Sequence, residues 1–272
     1  MINKNKIQNI GFNFEHSYSN LSKNLIKEIK PSFVSNPKLI ILNNSLAREI
    51  NLDFTSLNES EISSLLSGNV LPEESKCIAQ AYAGHQFGFF TMLGDGRAII
   101  IGEHISNTNE KFDIQFKGSG KTPYSRNGDG KATLVSMLRE YLISESMNAL
   151  GIPTTRSLAV VSSGESLQRE RKIKGGVLTR IASSHIRVGT FQYLSMNEDL
   201  PTLNKLILYC LNRHYTNYKI DINPAITLLK IVRDRQISLI VNWMRVGFIH
   251  GVMNTDNMTI SGETIDYGPC AF

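Results

Sequence analysis

The spacing of apolar residues divides this chain into blocks of different period. Residues 1–75 are polar and Asn/Ser-rich, with helical patches around Leu21–Ile29, Ser45–Ile50 and Ile62–Leu66. Within them Asn36–Asn43 reads as an extended piece bounded by turn residues. From Ala79 the pattern becomes strand-like. The apolar run Gly84–Leu93, a turn at Gly94-Asp95-Gly96, the β-rich run Arg97–Glu103 and the strictly alternating Phe112–Lys117 predict a three-strand antiparallel meander. Helical spacing follows over Thr133–Leu150, with Leu134, Met137, Leu138, Tyr141 and Leu142 on one stripe and Gly151 and Pro153 as stop signals. Ser157–Val161 and Gly176–Ile181 read as strands joined by the charged tip Gln168–Lys174, expected to be a solvated hairpin and not a binding patch. Beyond Thr190 the period is helical again. One helix covers Leu203–Tyr215. A second starts at the cap Asn223 with Pro224 in its first position and runs to about Arg245, its core face marked by Ile226, Leu229, Ile240, Trp243 and Met244. Last, Gly262 between Met258–Ile260 and Thr264–Asp266 reads as a tight hairpin. These blocks predict an α+β fold.

Composition narrows the function classes. At 272 residues and 41% hydrophobic, the chain can bury a core as one large domain or two lobes. A net charge of +5 suits an anionic substrate such as a nucleotide, and the scattering of the basic residues argues against nucleic acid. Cys77, Cys210 and Cys270 are far apart and odd in number, which suggests reduced thiols and a cytoplasmic setting. The N-terminus does not read as a signal peptide, and no run reaches the roughly 18 apolar residues of a membrane span, so no membrane partner is expected.

Candidate chemistry concentrates at the end of the chain. The hairpin would bring Asp256, Asn257 and Asp266 together as an oxygen-only site suited to Mg²⁺ or Mn²⁺. Asp and Asn also favour turns, so the residues alone leave both readings open. The wider spelling, His250-Gly, Asn257 seven residues on and Asp266-Tyr-Gly268, resembles the catalytic segment of kinase-fold phosphotransferases, whose Asn and Asp hold metal ions. Where those enzymes carry a catalytic Asp, this chain has Val252, and Asp256 is the one nearby carboxylate that could replace it.

Upstream, Gly94 and Gly96 could let backbone N–H groups approach a phosphate with Arg97 at the edge, although Asp-Gly is also an ordinary hairpin turn. Gly118-Ser-Gly-Lys121-Thr122 is not a P-loop, because Gln115 stands where the first Gly is needed and Pro123 follows at once. Thr122–Lys131 reads instead as a long ordered loop. Lys117 on a strand followed by Glu140 on a helix is the kinase arrangement for holding a lysine against phosphates. Arg180 and Arg187 carry guanidinium groups suited to phosphate oxygens. A β-rich N-lobe followed by a helical C-lobe, which would end early at Phe272, is protein-kinase-like.

The segments Gln80–Gly88, Leu93–Ala98, Lys117–Gly130, Leu150–Arg156 and Asn254–Met258 strongly resemble the selenoprotein O family, kinase-fold enzymes that transfer AMP from ATP to protein hydroxyls. Members are longer, so the resemblance implies the N-terminal part of one. It implies an extension over 1–78 packing on the following lobe, a nucleotide-binding N-lobe over 79–190 and the start of a helical C-lobe over 191–272. It also implies that Gly94, Gly96, Arg97 and Lys117, the last supported by Glu140, contact the nucleotide phosphates, with Asp129 and Gly130 on the ATP as well. Arg180 and Arg187 match arginines that hold ATP reversed relative to ordinary kinases. Asp256 matches the proton acceptor, and Asn257 with Asp266 the metal pair. The implied partners are ATP, Mg²⁺ or Mn²⁺ and proteins with exposed Ser, Thr or Tyr. A conventional phosphotransferase, a uridylyl-transferring variant and a non-catalytic nucleotide-binding module are the alternatives.

Overall fold

Ten strands share one sheet in the computed structural model, which describes residues 4–86 and 88–272. In chain order the strands are β1 (Phe14–Glu15), β2 (Ile26–Glu28), β3 (Lys38–Leu42), β4 (Ile78–Gln86), β5 (Phe89–Gly94), β6 (Ala98–Ile105), β7 (Lys111–Lys117), β8 (Ala132–Thr133), β9 (Arg156–Gln168) and β10 (Lys172–Ala182). The helices are α1 (Lys4–Gln8), α2 (Asn44–Glu49), α3 (Glu59–Leu66), α4 (Leu134–Ala149), α5 (Val188–Met196), α6 (Leu200–His214) and α7 (Pro224–Arg245). The sheet runs β2-β4-β6-β7-β10-β9-β3, with β1 on β6, β5 on β4 and β8 on β10, and every paired strand is antiparallel. The architecture is a large antiparallel sheet with helices, α+β.

Successive side chains on a strand face opposite ways, and here each face has its own core. Ile99, Ile101, Ile114, Phe116 and Val177 pack with α2 and α3 through Leu46, Ile50, Ile62 and Leu65. From the other face Ile78 and Ile100 meet α5, α6 and α7 through Leu194, Leu206, Ile207, Leu228 and Ile231. Val160 and Leu178 meet Met137 and Tyr141 of α4. No helix among the described residues is long and apolar enough to cross a membrane.

Several expectations change. Leu21–Ile29 is not helical: a short 3₁₀ turn, Lys23–Leu25, leads into β2, whose pairing with β4 outweighs local propensity. Gly84–Leu93 is not one strand. The chain reverses around Gly88 (φ +85°), and β5 folds back on β4, so β4 and not β5 touches β6. The run Met258–Asp266 turns at Gly262 but forms no ladder with itself. The Thr259 hydroxyl bonds both the N–H and the carbonyl of Glu263, while the two arms bridge outward to Arg187 and Thr154. On α4, Leu142 is exposed and Met147 buried. α7 has the expected boundaries and Asn223 cap, yet Ile226, Leu229 and Met244 are exposed, and the buried face is Leu228, Ile231, Leu239 and Trp243.

A buried charge network ties α6 to the sheet. Arg213 donates to Asp113 on β7 (2.7 Å) and Glu103 on β6 (3.0 Å), and Asp113 also accepts from the His185 backbone N–H (2.8 Å). Breaking a buried pair by removing one partner leaves an uncompensated charge. Arg213→Ala is therefore expected to lower unfolding stability by about 3–5 kcal/mol, measured by urea denaturation; an unchanged midpoint would contradict the network's role.

Candidate active site

Five charged side chains meet where β7, β10, α4, α5 and the last turn of the chain converge. Lys117 ends β7, and β10 lies beside it in antiparallel register, with Arg180 opposite Gln115. Glu140 comes from the buried side of α4, Arg187 caps α5, and Asp266 follows the Gly262 turn. Lys117 Nζ donates to Glu140 (2.6 Å) and to Asp266 Oδ1 (2.7 Å). Arg180 Nη1 closes the ring, donating to the same Asp266 oxygen (2.7 Å) and to Glu140 (3.1 Å). Arg187 Nη1 reaches Asp266 Oδ2 and the Asp256 carbonyl, both at 2.5 Å. Three cations thus share two carboxylates, leaving an excess of positive charge.

Burial orders this cluster. The Lys117, Glu140, Arg180 and Arg187 side chains are at most 5% exposed, whereas Asp266 is 20% exposed and forms the open edge. Burial alone would raise the Asp266 carboxyl, but Arg187, Lys117 and Arg180 outweigh it and hold it well below the usual carboxylate range. Asp266 also sits at φ +59°, a left-handed conformation uncommon outside glycine and fixed here by its ion pairs.

A cavity of about 670 Å³ opens over this edge, within the size range of small-molecule sites. Its wall includes Gly94, Gly96, Arg97, Lys117, Asp129, Gly130, Glu140, Arg180, Arg187, Asp256, Asn257 and Asp266, so these twelve candidates border one space, whereas His250 is buried against the Ile265 carbonyl outside it. Val252 borders it too. Arg97 is exposed at the rim. Asp129 is less free than its loop position suggests. Its carboxylate is bound by Arg169 (2.9 and 3.0 Å), so the charged tip of the β9–β10 hairpin is not merely solvated; it tethers the glycine-rich loop.

Asp256 lies in the short 3₁₀ turn Thr255–Asn257. Desolvation raises its carboxyl above the usual range, and its Oδ1 is buried with no hydrogen-bond partner among the described residues. Asn257 Nδ2 donates to the Val252 carbonyl (2.9 Å), which fixes the amide plane. Val252 thus contributes a backbone acceptor to this amide.

With this geometry in view, relatives become informative. A model of the family described as "Protein adenylyltransferase SelO" matches residues 8–272. The chain belongs to the SelO family. Proteins named "Protein nucleotidyltransferase YdiU" are similar throughout. The one from Pelagibacter ubique is 58% identical over 263 residues, covering 97% of this chain and 54% of that protein. The one from Nitrosococcus oceani is 56% identical over 267 residues, 98% and 54% respectively. The one from Bacillus cytotoxicus is 56% identical over 272 residues, 100% and 55%. The chain spans about half the length of these curated relatives.

The cavity edge of this SelO-family chain contains groups that residue spacing did not single out. The Arg187 guanidinium lies over the Tyr82 ring, 4.6 Å from its centroid, a cation–π contact from β4. Asp95, between the two glycines, is buried; its Oδ2 accepts from the Gln80 N–H (3.0 Å), and its Oδ1 lies 4.0 Å from Arg187. An acid flanked by glycines reads as a turn, and only the fold reveals it as buried. Burial, opposed in part by Arg187, pushes the Asp95 carboxyl up to about 6.

This sets a pH dependence of stability. Below about pH 4 the Asp95 carboxyl is protonated folded or unfolded and costs nothing. As pH rises from about 4 through 6 the unfolded chain ionises first, so stability falls. Asp95→Asn is expected to add about 2–3 kcal/mol at pH 7.5 and almost nothing at pH 4, read from urea midpoints at the two pH values. Equal effects at both would contradict the buried, raised carboxyl.

Proposed function

We propose that this chain is the nucleotide-binding part of a protein adenylyltransferase, which transfers AMP from ATP to Ser, Thr or Tyr hydroxyls with Mg²⁺ or Mn²⁺. In this reading the fold is kinase-like. Residues 1–78 form an extension on a nucleotide-binding lobe over 79–190, and 191–272 begin a helical lobe. The observation that carries the proposal is the ring of Lys117, Glu140, Arg180 and Asp266 at the cavity edge, with Arg187 beside it and a partly desolvated Asp256 across from it. The excess positive charge suits polyphosphate. At the cavity wall Asp256 keeps a carboxylate oxygen with no partner among the described residues, while position 252 is a valine.

A divalent cation fits the residues present. Among the described residues no three His, Cys, Asp or Glu side chains gather into a self-sufficient metal site. That matches Mg²⁺ practice, in which one or two protein carboxylates are supplemented by substrate phosphates and water. Asn257, with its amide plane fixed, and Asp266, held ionised, would be the protein ligands. When bound, the cation would supply charge neutralisation for the phosphates and the pyrophosphate leaving group.

The remaining roles fall to the chain itself. Lys117, Arg180 and Arg187 would hold phosphate oxygens and stabilise charge developing on the transferred group. Glu140 keeps Lys117 and Arg180 in place when Asp266 turns to another partner. The Gly94–Arg97 turn and the Asp129–Gly130 segment would border the rest of the nucleotide. Asp256 would accept the proton of the attacking hydroxyl, a task favoured by a carboxyl raised toward working pH.

Label placement tests the proposal. In the intact protein, ATP labelled at the α-phosphate is expected to mark an acceptor protein, and ATP labelled at the γ-phosphate is not. Asp266→Ala is expected to abolish transfer, and Asp256→Ala to lower kcat by about 10²–10⁴ with little change in ATP affinity. Transfer of γ-label would show a kinase, preference for UTP a uridylyl transferase, and nucleotide binding with no transfer a non-catalytic module.

A further inference from the structure

Gly84 lies inside β4, paired with Thr91 of β5, and is buried. Glycine weakens a strand interior, and a glycine there often marks the close approach of another group. Its backbone is not in the left-handed region, so conformation does not explain it. Space does. A Cβ on Gly84 would lie 2.6 Å from Asp256 Cγ and 2.7 Å from Asp256 Cβ, and closer still to Oδ1. The Asp256 side chain therefore occupies the volume that any other residue at 84 would fill.

A second glycine makes the opposite wall. Gly189, in the first turn of α5, also has an ordinary backbone. A Cβ there would collide with the Ala83 carbonyl on β4 and stand 3.3 Å from the Thr255 carbonyl. The two glycines let β4, α5 and the turn Thr255–Asn257 come together. Arg187 then fastens the turn by donating to the Asp256 carbonyl, and Tyr82, two residues before Gly84 on the same face of β4, supports the Arg187 guanidinium.

We propose that Gly84 is a positioning residue: the missing side chain on β4 sets where the Asp256 carboxylate sits relative to the Arg187–Asp266 cluster. The inference rests on the proposed role of Asp256 for its effect on rate, but the steric contact stands apart from that role and is tested separately.

The experiment is a pair of double-mutant cycles in the intact protein. For contact, Gly84→Ala is made alone and with Asp256→Gly, which empties the contested volume. The single variant is expected to lower Tm by several degrees or to fail to fold, and the Asp256→Gly background to abolish that penalty. The same penalty in both backgrounds, or none in either, overturns the proposal. For rate, where Gly84→Ala folds, kcat for adenylyl transfer is expected to drop at least tenfold. KM for ATP should stay within about twofold, and adding Asp256→Ala should cause no further loss beyond Asp256→Ala alone. A loss shared equally between kcat and KM, or losses that multiply, overturns the positioning role. If the stability coupling is present but Asp256→Ala leaves kcat unchanged, the failure lies in the reading of Asp256 as proton acceptor and not in the contact.

Discussion

Asp266 is held by three cations at once, and the arrangement of the site follows from that. Two carboxylates and three cationic groups, nearly all desolvated, remain charged only because each has a hydrogen-bonded partner of opposite sign. The residues supplying them lie on five elements. The ring therefore fixes β7 against β10, α4 against the sheet, and the last turn of the chain against both. Removing one member would unbalance the charges and leave its neighbours with fewer partners.

The same cluster accounts for what the site can accept. Asp266 is the member that faces the cavity, and Glu140 backs Lys117 and Arg180 from the interior. A polyphosphate entering the cavity would meet three donors that can turn from Asp266 to phosphate oxygens, Lys117 and Arg180 keeping Glu140 and Arg187 keeping the Asp256 carbonyl. Asp266 would then be released toward a cation. Asp256 stands outside the ring, joined to it through Arg187, and keeps an oxygen unpaired among the described residues. Division of labour between a fully paired carboxylate and an unpaired one is the usual way two acids in one site acquire different proton affinities.

Much of this was legible in the sequence where local rules and tertiary structure agree. Lys117 and Glu140 were paired from strand–loop–helix order, and α7 announced its own limits through Asn223 and Pro224. The twelve candidate residues, several named only through the family resemblance, border one cavity. The failures have a common origin. On α7 apolar residues sit on two adjacent faces, and which face is buried depends on α6 and the sheet, not on spacing. The β4–β5 reversal falls around Gly88, inside an apolar run without the Asn-Gly or Asp-Gly pair that marks a hairpin. Asp95 reads as a turn residue and Gly84 as part of an apolar run, because the burial of one and the close approach of Asp256 to the other are created by segments far away in sequence. From sequence the charged hairpin tip reads as solvated, because its partner Asp129 is remote in the chain.

The most direct test is a crystal structure of the intact protein with Mn²⁺ and α,β-methylene ATP, which cannot release AMP. The account predicts phosphate oxygens against Lys117, Arg180 and Arg187, and Mn²⁺ anomalous scattering at Asn257 and Asp266. Nucleotide bound elsewhere, or an Asp266 still fully paired with all three cations while the metal lies outside the cavity, would contradict it.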